Sequence, residues 1–93
     1  MMNKIPAVLP SDFGHIEGEV ADMGWILAEN RFRDAFPGSY EYCEPWDRVL
    51  KAHGCFRASN SVVWANGMNR IIEVLNSLPE QCSREKLQSA FGL

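Results

Sequence analysis

Between Ser59 and Leu78 the chain reads SNSVVWANGMNRIIEVLNSL, and this stretch limits the possible folds more than any other. Ala65, Met68, Ile72 and Leu75 recur at steps of three and four. Val62, Ile71, Val74 and Leu78 widen the same stripe. That is the period of a helix with one broad buried face. Asn66, Asn69, Arg70, Glu73 and Asn76 mostly fall off the stripe and are expected to stay solvated. Pro79 ends the run, because it lacks an N–H and turns the residue before it away from helix. A helix from about Ser61 to Leu78 is therefore expected at the centre of the fold.

The other segments are read against that helix. Residues 1–10 hold two prolines, Pro6 and Pro10, among Ile5, Val8 and Leu9. They predict an extended apolar arm, followed by one helical domain over 11–93. Ser11 or Asp12 caps a predicted long helix running to Phe36. Its buried face begins as Phe13, Ile16, Val20, Met23 and Leu27 and continues past Gly24 as Trp25, Ala28, Phe32, Ala35 and Phe36. Pro37-Gly38 stops it. Pro45 suits the start of a helix whose apolar side is Trp46, Val49, Leu50 and His53, with Gly54 as a left-handed stop. A short β-hairpin over 55–64 is the minor alternative there, since Val62-Val63-Trp64 favours strand. Ser83 opens a last helix with Leu87, Ala90 and Phe91 inward, and Gly92-Leu93 predicts a Schellman ending. The sum is an all-α bundle of three to four helices with an extended N-terminal arm.

Composition narrows the function classes. A chain of 93 residues buries only about 60–65% of its unfolded surface. Ten aromatic residues are many for such a core, so part of them is expected on a second surface. A homodimer is expected on the same ground. The first 50 residues carry a net −5 and the remainder +2. With no cluster of Lys and Arg, nucleic acid is disfavoured as a partner. The longest apolar runs are only a few residues, so no segment is expected to cross a membrane. Cys43, Cys55 and Cys82 are odd in number, widely spaced and without CxxC. They read as free thiols in a reducing cytoplasm.

Three constellations could carry chemistry. Asp12, His15, Glu19 and Asp22 share a helical spacing that could hold a metal, but also that of an ordinary solvated face. Cys43, His53, Cys55 and Cys82 match no common zinc spacing, and no acidic or amide residue is placed to orient a Cys–His pair. No cofactor and no metal are expected, and a small metal- or thiol-dependent enzyme is the weakest reading. The helices flanking Gly54 outline a helix-turn-helix, with Asn66, Asn69 and Arg70 to read bases and Arg57, Arg70, Arg84 and Lys86 for phosphates. Its connector is longer than the usual three or four residues. A DNA-binding transcriptional regulator is thus an alternative. The better lead is the run of Trp25, Phe32, Phe36, Tyr40, Tyr42 and Trp46, with Arg31 and Arg33 among them. These residue types dominate interface hot spots. They predict a non-catalytic protein–protein interaction module, a small regulator or inhibitor docking on a larger protein.

Overall fold

The computed structural model describes residues 4–14, 22–38, 43–79 and 82–93. The order is a short 3-10 helix at Pro10–Asp12, then α1 (Gly24–Ala35), α2 (Glu44–Ala52), α3 (Ser61–Asn76) and α4 (Arg84–Phe91). No strand occurs among the described residues. The radius of gyration is 12.4 Å, close to the roughly 12 Å of a well-packed chain of this length.

The longest of the four, α3, packs against α1, α2 and the 3-10 turn. Its buried residues are Trp64, Ala65, Gly67, Met68, Ile71, Ile72 and Leu75. Of the predicted stripe, Val74 and Leu78 are only half-buried and Val62 is exposed, because it lies in the first turn beyond the reach of the core. Asn60 caps it, its side-chain oxygen accepting the N–H groups of Val62 and Val63 at 2.9 and 3.1 Å. The predicted hairpin over 55–64 does not form. Residues 53–60 make turns, and Trp64 lies in the first turns of α3, where its ring reaches the core. The helical period beats local strand preference because it buries one continuous face.

The helix expected from Asp12 to Phe36 is also corrected. The chain leaves helical conformation at Phe13, which is extended, and at Gly14, whose φ of +90° lies in the left-handed region. Met23 is extended as well, so α1 starts only at Gly24. Ile16 and Val20, the middle of the predicted stripe, lie outside the described residues. Gly24 opens α1 because something must pass close to it. A Cβ there would sit 2.1 Å from the Pro6 carbonyl oxygen.

The other helices follow their sequence signals, except that Ala90, expected inward on α4, is exposed while Leu87 is buried and Phe91 half-buried. α2 carries Pro45 in its first turn and buries Trp46 and Val49, and Gly54 follows it at φ +73°. The Ser83 hydroxyl accepts the Lys86 N–H, and Leu93 N–H bonds Gln88 C=O at 2.8 Å past left-handed Gly92. Phe32 of α1 joins three helices. Its ring lies 5.1 Å from Trp46 of α2 and 5.2 Å from Phe91 of α4.

The arm docks on α3. Ile5 and Val8 are 5% and 2% exposed, while Lys4, Pro6, Ala7 and Leu9 face solvent. Burying two such side chains contributes about 1.5–3 kcal/mol each.

Candidate functional site

The predicted aromatic cluster divides in the structure. Phe32 is fully buried and Trp46 is 4% exposed, both within the core at the α1–α2–α4 junction. Phe36 is half-buried beneath the Arg84 guanidinium, 5.4 Å from its ring centre. Trp25 is half-buried. Tyr40 and Tyr42 lie outside the described residues. Of the four described members, then, Trp25 and Phe36 reach the surface and the other two hold the helices together. Arg33 pairs with Glu29 at 3.0 Å across one helical turn, and Arg31 keeps a buried Nη1 with no hydrogen-bond partner.

Trp25 belongs instead to a different aromatic group. It lines a small notch of about 130 Å³ with Asp12, Phe13, Gly14 and Trp64. The Phe13 ring lies 5.4 Å from that of Trp64, tilted by 50°. Phe13 is 37% exposed. The Trp25 indole Nε1 is buried without a hydrogen-bond partner. An indole N–H is a donor only, and leaving it unpaired in a buried site is costly. The notch thus offers three ring surfaces, while the unanswered indole donor is itself buried. Large apolar side chains are exposed beside it in the chain: Leu9 at 62%, and Val62 and Val63 at 54% and 51%, immediately before Trp64. Sequence reasoning assigned Phe13 to a buried helical stripe and placed Trp64 in a possible hairpin, so it missed both.

A second feature was missed. Asn69 Oδ1 accepts the Val8 N–H at 2.8 Å, and its Nδ2 donates to the Val8 C=O at 3.0 Å. Asn76 makes the same pair of bonds to Ile5, at 2.8 and 3.0 Å. The two amides stand seven residues apart on α3, about 10.5 Å along its axis. Ile5 to Val8 spans about 10 Å when extended, so the two spacings match. These asparagines, expected to be solvated, form a clamp on a peptide backbone. The signal in the sequence is two Asn residues at a seven-residue interval, each able to replace both partners of a backbone group.

The candidate chemical sites fare otherwise. His15 and Glu19 lie outside the described residues. Among the described residues no three His, Cys, Asp or Glu side chains gather as metal ligands. The three cysteines are free thiols. The Cys55 thiol donates weakly toward the carbonyls of Trp64 and His53 at 3.6 and 3.7 Å. Burial pushes its pKa up to about 11, away from the thiolate a nucleophile needs. His53 Nδ1 sits 2.9 Å from the Val49 carbonyl, a contact that requires Nδ1 to carry the proton. On the outer side of α3, Asn66, Arg70 and Glu73 line an open hollow with His53, Asn69 and Val74. Asn69 is already engaged with the arm there, and Glu73 sets a carboxylate beside Arg70.

Comparison with known proteins gives no match: no family model, no curated protein and no solved structure is significantly similar to the chain. Among the described residues, no helix is long and apolar enough to cross a membrane.

Proposed function

We propose that this chain is a non-catalytic protein–protein interaction module, a small regulator that docks on a larger protein and alters its activity. Its place of action on this reading is the cytoplasm, where free thiols persist. The observation that carries the proposal is the notch between Phe13, Trp25 and Trp64, with Leu9, Val62 and Val63 exposed near it in the chain. Aromatic pockets with one directional polar group anchor protein partners, and Trp is among the residues that dominate such anchors. A partner inserting an apolar side chain would fill the notch and cover its three rings. Leu9, Val62 and Val63 would extend the contact.

The test is affinity capture from lysate of the native host, comparing the wild-type chain with a Leu9→Ser, Phe13→Ser, Val62→Ser variant. Specific partners retained by the wild type and lost by the variant, with unchanged circular dichroism, support the reading. Equal capture by both chains refutes it. With a partner in hand, Trp25→Ala removes one wall of the notch and is expected to weaken binding at least about tenfold, as truncating an anchoring aromatic does.

A further inference from the structure

The hold on the arm does not depend on its being part of the same molecule. Asn69 and Asn76 bond the N–H and C=O of Val8 and Ile5, which are backbone groups of any extended peptide. Side-chain recognition is confined to the two buried positions, Ile5 and Val8, three residues apart. Between them Pro6 has no N–H to leave stranded, and its carbonyl passes over Gly24, where any Cβ would collide with it. Proline also restricts the free peptide to extended conformations, which lowers the ordering cost on docking. α3 and the first residue of α1 thus form a cleft built for an extended segment with aliphatic residues three apart, running antiparallel to α3, with proline accommodated between them.

The way the arm joins the body permits it to leave. Leu9, Pro10 and Ser11 are all exposed, and the Leu9 N–H bonds locally to the Asp12 carboxylate at 2.8 Å. Withdrawing the arm therefore uncovers Ile5 and Val8 but leaves this junction as it stands. We propose that the cleft also receives the same segment from a second copy, giving an arm-exchanged dimer. The second copy is the occupant whose fit is on view, since its arm has the sequence already seated there. Exchange would be reciprocal: each copy gives an arm and receives one, which closes the assembly at two. The tethered arm competes at an effective concentration of about millimolar, so wild-type exchange is expected to rise as protein approaches that range.

Complementation of two full-length variants tests this directly. Ile5→Asp with Val8→Asp leaves a cleft without a competent arm. Asn69→Leu with Asn76→Leu leaves an arm without a competent cleft. Each alone is expected to be monomeric by light scattering, and their mixture to form a heterodimer of twice the monomer mass. A mixture that stays monomeric while both variants retain helical circular dichroism overturns the proposal. Should either variant fail to fold, the wild-type chain decides, refolded at increasing concentration. A dimer fraction that grows with concentration and is dissolved by excess synthetic peptide of residues 4–10 supports exchange. A wholly monomeric wild-type chain near millimolar concentration, or a dimer indifferent to that peptide, refutes it.

Discussion

α3 is approached closely by non-helical backbone on two sides, and the two sides are built differently. On one, the turn after α2 lies directly on Gly67. A Cβ at Gly67 would come within 2.3 Å of the His53 carbonyl oxygen and 2.5 Å of Cys55 Sγ. That contact is steric, and it works because a side chain is missing. On the other side the arm is held by the amides of Asn69 and Asn76, with Gly24 of α1 clearing room at Pro6. That contact joins the buried side chains of Ile5 and Val8 to directional hydrogen bonds, each of which water can replace. The first should behave as a fixed part of the core, the second as a clasp that opens without unfolding the rest.

The sharpest way to break this comparison is Gly67→Ala. Alanine is the better helix former, so propensity alone predicts a gain of about 1 kcal/mol. The collision with His53 and Cys55 should reverse that, giving a net loss of about 2–3 kcal/mol in denaturant unfolding. A neutral or stabilising result would mean the turn yields easily and is no part of the core. Next in size, Asn69→Ala with Asn76→Ala removes four backbone bonds. A loss of about 2–3 kcal/mol is the upper bound, since water takes over at the freed groups. The more telling readout is hydrogen exchange. Protection should vanish at the Ile5 and Val8 amides and persist at Met68, Ile71 and Leu75.

Gly24→Ala is the smaller counterpart, expected to cost about 1 kcal/mol net, because the arm can shift away. The same exchange pattern should appear with the clamp intact. Combined with the Asn pair, its cost should disappear, since both act through one docked segment. Smallest at neutral pH is the thiol beneath the Gly67 contact. Cys55 has a folded pKa of about 11 against an ordinary value of 9.0. The native state holds this proton more tightly than the unfolded chain. The resulting stability is complete below about pH 9 and is lost as pH rises toward 11. Cys55→Ala should flatten the alkaline limb of the stability profile, and the thiol should react slowly with alkylating reagents at neutral pH.

What could be read in the sequence follows from how local each signal is. The stripe of α3, the Gly54 stop and the Gly92-Leu93 ending depend on neighbours within a turn or two, and the helical architecture follows from them. The break at Phe13–Gly14 was less visible, because Phe13 and Met23 fit a helical spacing equally well. Gly67 sits between Asn66 and Met68 in a strongly periodic helical stretch, where glycine reads as one more small residue, and its role appears only when His53 lies on it. The candidate site was harder still. Trp25 stands out in the sequence because it is large and aromatic. Phe32 and Trp46 share that character, and only the crossing of α1, α2 and α4 assigns them to the interior. Asn69 and Asn76 are polar residues beside an apolar stripe, as solvated residues also are. Their function is set by partners 61 and 71 positions away.

That separation has a consequence for the newborn chain. Ile5 leaves the ribosome some seventy residues before Asn76 does, and by then α1 and α2 have had time to coil. Until α3 emerges, the side chains of Ile5 and Val8 on their proline-stiffened segment have no cleft to enter and stay open to other apolar surfaces. The clamp bonds thus close only once α3 has been made, and a pause in translation within α3 would lengthen the interval in which crowded copies can trade these segments.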